Sequence, residues 1–325
     1  MIESTVTVPG HQPAAPGTRA SVPARRRPAG PRHTGRWRPS RLFAWLLLIL
    51  MMVATLLPFY WILRTAFSTN AALFTGDQSV LPPEPTLVNF RRVLGLASAE
   101  QVRAAGGTGA ELEFWLYLRN SIIFSTLVTV GQVTFCAMAA YAFARLRWRG
   151  RDAVFYLFLS ALMVPPIFVV IPNFVLLSEL GLLDTFAGLA APYFFMTPFM
   201  VFFLRQFFLG ISTELEDAAR IDGAGHPRIF LRICVPMMAA PLTTAAILAY
   251  VIAWNEFMWP LVAGNDPSVR VLTVGLSVFR SGQPQAAPDW TGLMAATVLG
   301  ALPVILLFLL MGRRIVDSIR FTGLR

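Results

Sequence analysis

The chain has 325 residues, of which 56% are hydrophobic and only 14% charged. Soluble domains carry about 25% charge, so this polar surface is too sparse to wrap a water-soluble globule, and the apolar residues run in blocks of membrane-spanning length. The net charge of +10 comes from 27 basic residues, all arginine; they flank the apolar blocks, which argues against nucleic-acid binding and for charges that set membrane topology.

Residues 1–41 are rich in Pro, Ala, Gly and Arg, with almost no large apolar residue before Trp37. Such a segment cannot bury enough surface to order itself, so it reads as a disordered basic tail. The apolar block Leu42–Leu63 follows. It is too long for a signal-peptide core and lacks a small-residue cleavage site, so it is predicted to be a retained transmembrane helix (42–64), with Pro58 placed to kink its far end. Residues 65–115 form a long extracytoplasmic loop. A core over 116–312 then carries five more apolar blocks: Ser121–Ala144, Val154–Leu177, Phe186–Phe208, Pro241–Val262 and Leu293–Met311. Each block is about 19 to 24 residues, enough to cross roughly 30 Å of hydrocarbon at 1.5 Å per residue. The predicted fold is all-α, with six transmembrane helices.

Loop charges set the orientation. The tail holds eight arginines, the second loop Arg145, Arg147, Arg149 and Arg151, and the fourth Arg205, Arg220, Arg228 and Arg232. The C-terminal tail, 313–325, holds Arg313, Arg314, Arg320 and Arg325. The loops between them are neutral or acidic in balance: the long first loop, about 64–113, sets Arg64, Arg91, Arg92 and Arg103 against five acids, and its length weakens its vote. The third has no arginine but carries Glu179 and Asp184; in the fifth Arg270 and Arg280 meet Asp266 and Asp289. Arginine-rich loops face the cytoplasm, so both termini are expected there, in a bacterial plasma membrane.

The fourth loop reads Ser212-Thr213-Glu214-Leu215-Glu216-Asp217-Ala218-Ala219-Arg220-Ile221-Asp222-Gly223. Thr213 and Glu216 stand three apart, as in a capping box. Glu214, Glu216 and Asp217 fall in the first turn, where the helix dipole favours negative charge. Gly223 supplies the left-handed residue that ends a helix. The spacing predicts a helix of about nine residues, roughly 13 Å long, on the cytoplasmic face. Pro227 suits the first turn of the next helix, which leads through Ile233 and Pro236 into the fifth span. So short a helix needs a partner to pack against. Its acidic start and small middle, Ala218 and Ala219, differ from the large apolar and basic faces of a headgroup-bound helix and suit a protein socket.

These residues resemble the EAA motif of binding-protein-dependent ABC importer permeases: Glu-Ala-Ala, three residues, Gly, nine residues, Ile-x-Leu-Pro. Here it is Asp217-Ala218-Ala219, then Gly223, then Ile233-Cys234-Val235-Pro236, with both gaps intact and Asp and Val as the two departures. Over about residues 42–312 the chain resembles the sugar branch, and within it the second permease subunit of maltose-type importers. The stretches that carry this are Arg119-Asn120-Ser121, Ala139-Ala140-Tyr141-Ala142-Phe143-Ala144-Arg145, Val164-Pro165-Pro166, Ile221-Asp222-Gly223-Ala224 and Trp254-Asn255-Glu256-Phe257. The family's Lys-containing C-terminal tail is replaced by Arg320-Phe321-Thr322-Gly323-Leu324-Arg325, so contacts made by that tail do not carry over.

The resemblance implies a coupling loop, 212–236, seated in the cleft of a cytoplasmic ATPase dimer, with Glu216, Asp217, Ala218, Ala219, Asp222, Gly223, Ile233 and Pro236 as the coupling residues. It also implies a second homologous permease, an extracytoplasmic sugar-binding protein and a carbohydrate cargo. The chain itself is expected to be non-catalytic and to bind no cofactor. A G-x-x-x-x-G-K-[ST] phosphate loop needs a lysine, and there is none, so ATP and Mg belong to the partner. Asn255 and Glu256 are candidate substrate-pathway residues, because an acid inside a span usually faces a cavity or a partner; an interhelical hydrogen bond is the alternative. Tyr141, Asn173 and the Pro165-Pro166 pair are assigned to packing and kinking. Cys136 and Cys234 lack metal-ligand spacing or a plausible disulfide partner. An amino-acid or peptide permease of the same class and an ion-coupled secondary transporter remain the alternatives.

Overall fold

The computed structural model describes residues 39–73, 79–107, 112–277, 279 and 288–321, with backbone alone at 39–41 and 312–321. The chain divides into two units, 1–53 and 54–325. The described part of the first unit is the beginning of α1 (Pro39–Ala66), whose apolar side chains from Leu42 to Val53 are all exposed. The predicted disordered tail lies outside the described residues as far as residue 38.

The second unit begins within α1. The predicted extracytoplasmic loop is partly helical, with α2 (Asn70–Leu73), α3 (Val88–Val93) and α4 (Ala99–Ala104). Then come α5 (Phe114–Arg145), α6 (Arg151–Ser160) with a 3₁₀ turn, α7 (Ile167–Glu179), α8 (Phe186–Phe194), α9 (Pro198–Leu209), α10 (Thr213–Ile221) and α11 (His226–Ile229). A π-helical turn, Phe230–Cys234, leads to α12 (Val235–Met237), α13 (Ala239–Trp254), α14 (Met258–Ala263), α15 (Leu272–Gly275) and α16 (Trp290–Phe321). Among the described residues there is no strand.

Three helices, α1, α5 and α16, are long and apolar enough to cross a membrane unbroken. The other three predicted spans are not straight helices but bent pairs: α6 with α7 at 101°, α8 with α9 at 51°, and the His226–Met237 segment with α13 at 80°. Proline explains each break. Val164 precedes Pro165 and is pushed to extended geometry (φ −85°, ψ 116°), as the proline ring demands of its neighbour. Thr197 before Pro198 is likewise extended (φ −113°, ψ 140°). Pro241 has no N–H for the Met237 carbonyl, and the helix kinks at Met238 (φ −88°, ψ 9°). The predicted fifth span is interrupted again after Trp254, because Pro260 cannot donate to the Glu256 carbonyl. The Thr273 hydroxyl donates to that carbonyl instead, at 2.7 Å. At the C-terminus, the predicted tail is helical as far as Phe321, as a continuation of α16.

α5 is the hub of the second unit, packing on α8, α9 and α13, while α16 lies against α13 and α3. The approach of α5 to α8 depends on Gly131: a Cβ there would stand 2.4 Å from the Phe194 ring. Gly131→Leu is therefore expected to separate the two helices and to leave little protein monodisperse in detergent, measured by fluorescence-detected size exclusion; an unchanged profile would contradict this packing.

Arg119-Asn120-Ser121 turns out to anchor the segment between α14 and α15. The Asn120 amide donates to the carbonyls of Pro267 and Arg270 at 3.1 and 3.0 Å, and Ser121 Oγ accepts the Leu272 N–H at 2.7 Å. Within that segment Ser268 donates to Asp266, which holds the Asp266 carboxyl below its usual range. A buried ion pair between Arg92 and Asp289 joins α3 to the start of α16, where Asp289 also accepts the Gly292 N–H at 2.9 Å.

Candidate functional site

The cytoplasmic-loop helix predicted from sequence is α10, nine residues long. Its first residue differs from the expectation. Ser212, not Thr213, is the N-cap: it is extended (φ −62°, ψ 134°), and its hydroxyl accepts the Glu214 N–H at 3.3 Å. Thr213 is already helical, so the Thr213–Glu216 capping box does not form. Glu216 is engaged elsewhere. Its carboxylate meets Arg145 of α5 at 3.1 Å, with the two side chains only 3% and 7% exposed. Arg145 also donates to the Ile211 carbonyl just before α10. Arg220, one turn on from Glu216, lies 3.4 Å from its other oxygen and 2.7 Å from Asp217, and Cys234 Sγ lies 3.9 Å from Glu216.

The C-terminal end follows the prediction. Gly223 adopts φ +79°, the left-handed conformation that glycine takes at low cost. The Gly223 N–H then reaches the Arg220 carbonyl at 3.0 Å, and the Ala224 N–H reaches that of Ala219 at 2.9 Å. These two bonds make a Schellman ending that satisfies the last carbonyls. His226 and Pro227 open α11, with Pro227 in the first turn as expected.

The helical period sorts the predicted coupling residues into faces. Asp217, Ala218, Asp222 and Gly223 are exposed; Ala219 is half-buried and packs on the core formed by α5, α9 and α13. Glu216 is buried and faces inward, so it is not on the exposed face. Ile233 lies half-buried in the π-helical turn, and Pro236 is exposed in α12. Two residues absent from the sequence-based set join the outer face: Leu215, 46% exposed, and Ile221, 87% exposed. Their signal was legible, since 215, 218 and 221 recur at three-residue spacing on one side of a helix.

At the other predicted site, Asn255 is the C-cap of α13; it is exposed, and its amide donates back to the Val251 carbonyl at 2.8 Å. Glu256 turns inward. Its carboxylate accepts the Trp259 N–H at 3.3 Å, capping α14, and Tyr193 of α8 lines the same small cavity. Gln132 of α5 donates to the Tyr193 carbonyl at 3.4 Å, and the Trp259 indole donates to Leu189 at 3.1 Å. Gln132 and Tyr193 went unnoticed in the sequence because they reach Glu256 from other helices. Tyr141 has the packing role expected of it, its ring lying against Phe208 and Phe230. Both cysteines are buried and unbridged, and among the described residues no group of three or more His, Cys, Asp or Glu is placed to hold a metal ion.

Comparison with known proteins gives a consistent result. Residues 132–321 match the family described as "Binding-protein-dependent transport system inner membrane component". Over 287 residues the chain is 32% identical to the "Probable ABC transporter permease protein YurM" of Bacillus subtilis, covering 87% of this chain and 88% of that one. It is 31% identical over 278 residues to the "Trehalose/maltose transport system permease protein MalG" of Thermococcus litoralis, covering 85% and 94%. A solved bacterial ABC transporter involved in import of the acidic polysaccharide alginate has the same fold, with a TM-score of 0.71 at 24% identity over 86% of this chain and 98% of that one.

Proposed function

Because this chain belongs to the family of binding-protein-dependent transport system inner membrane components, we propose that it is a permease subunit of an ATP-driven ABC importer for a carbohydrate. With a second, homologous permease it forms the transmembrane pathway, and an extracytoplasmic binding protein delivers the sugar. Each bent pair crosses the membrane once, so six spans place both termini in the cytoplasm, in line with the arginine-rich loops. ATP and Mg are held by a separate ATPase dimer, and this chain performs no chemistry of its own. The trehalose and maltose named for a relative support a carbohydrate cargo.

The observation that carries this reading is the two-sidedness of α10. Its inner face is locked to α5 by the buried Arg145–Glu216 pair, while its outer face leaves Ile221 87% exposed and Leu215 46% exposed. Apolar surface left in water forgoes about 25 cal/mol per Å², and a patch rimmed by acids marks a protein contact. A helix gripped on one side and open on the other is suited to pass rigid-body motion from an ATPase to α5, which is what coupling between two global states requires.

Uptake should require the ATPase and the binding protein and should persist when ionophores collapse the ion gradients. Uptake that follows a cation gradient without ATP would overturn the proposal. For the topology, single cysteines at Arg149 and Arg228 should react with an impermeant maleimide only from the cytoplasmic side.

A further inference from the structure

Broken helices inside a bundle leave backbone ends and polar side chains where water is scarce, and here several of them converge. Gln132 of α5, Tyr193 at the end of α8 and Glu256 between α13 and α14 enclose a cavity of about 20 Å³, enough for one water molecule. Its other walls are apolar: Val128, Ala249, Ile252 and Ala253. Among the described residues no arginine or histidine lines it. An acid in such surroundings is expensive and by default marks a functional position, and transporter sites form where discontinuous helices meet.

Holding the break together uses only part of this cluster's capacity. A carboxylate offers about four acceptor positions, of which the Trp259 N–H occupies one. A phenol, a primary amide and a carboxylate facing one another match adjacent sugar hydroxyls, each of which donates one hydrogen bond and accepts others. A charged carboxylate with no cation beside it among the described residues also repels anionic cargo: at 4 Å two like charges cost about 4 kcal/mol at an effective dielectric of 20.

We propose that Gln132, Tyr193 and Glu256 form a subsite for the hydroxyl groups of an uncharged carbohydrate. It widens when the helices part about the breaks at 195–197 and 255–257, and it excludes phosphate-, sulfonate- and carboxylate-bearing cargo. This rests on the importer reading above.

The test uses the complete transporter, both permeases with ATPase and binding protein, in proteoliposomes. Uptake is measured for trehalose and maltose as neutral probes and for glycerol 3-phosphate and a uronic-acid disaccharide as anionic ones. The accepted cargo should be neutral. Glu256→Gln and Tyr193→Phe, which keep shape, should each raise its KM about tenfold or more, while the amount of assembled transporter stays near wild type. ATP-driven uptake of an anionic probe, or KM values unmoved in both variants, overturns the subsite and leaves the importer reading intact. Uptake that is independent of ATP overturns both. Loss of assembled transporter with an unchanged KM would mean that Glu256 only fastens the helix break, and this also overturns the subsite.

Discussion

Glu216→Ala is expected to abolish coupled uptake and to lower the thermal midpoint of the detergent-solubilised protein by several degrees. The variant leaves Arg145, 7% exposed, without its carboxylate. Removing one member of a buried ion pair costs about 3–5 kcal/mol, a large part of the roughly 5–15 kcal/mol that keeps a domain folded. Arg220 also loses one of its two acidic partners, and Cys234 loses its neighbour, so α10 is released from both α5 and the π-helical turn. Asp217 cannot substitute, because its side chain is 61% exposed and turned toward Arg220. The double variant Arg145→Met with Glu216→Leu separates the two consequences. Replacing a buried pair with apolar residues of similar volume is often neutral or stabilising, so the midpoint should return. Uptake should return with it if the pair acts as a rigid joint rather than through its charge. The measurements are the thermal midpoint, transport and ATPase rate of each variant. A single Glu216→Ala protein with wild-type midpoint and wild-type uptake would refute the joint between α10 and α5.

The same residue shows where local reading of a sequence stops. Glu216 stands three residues after Thr213, and by spacing alone it completes a capping box. Its true partner is Arg145, at the far end of another helix, and no local pattern reveals that pairing. Gly223 was legible because its role is local: a backbone position with φ +79° is decided within a few residues. The apolar blocks found each long helix because hydropathy reports burial in lipid, but it carries no information about direction. The prolines behind the bends were visible, but not which donor would take up a carbonyl that a proline leaves free. For Glu256 that donor is Thr273, from beyond α14. The candidate pathway site was half legible for the same reason: Glu256 is conspicuous in an apolar run, whereas Tyr193 and Gln132 become its neighbours only through the packing of α5 and α8 on α13. Asn255, equally conspicuous, is satisfied by its own helix.

Ile221→Asp is expected to eliminate transport while leaving the protein's folding untouched, the reverse of what a core substitution does. Ile221 is 87% exposed, so replacing it should move the thermal midpoint little; surface changes of this kind are usually within about 0.5 kcal/mol. Against a partner the balance differs. An apolar anchor lost from the centre of an interface costs 2 kcal/mol or more, and a carboxylate carried into the same pocket adds its desolvation. Co-purification of the ATPase should therefore fall about thirtyfold or further, and uptake should fall with it. Gly223→Asp provides a graded comparison. A Cβ at Gly223 meets nothing within 4 Å, so its penalty is the left-handed backbone alone, about 1–2 kcal/mol, together with a second negative charge beside Asp222. It should weaken docking and loosen the end of α10, with a small drop in midpoint that Ile221→Asp does not show. Because Ile221 touches the outer face only and Glu216 the inner face only, the two predictions are independent. If Ile221→Asp retained full uptake and ATPase binding, the docking face would have to lie elsewhere on the molecule, even with the Arg145–Glu216 joint upheld.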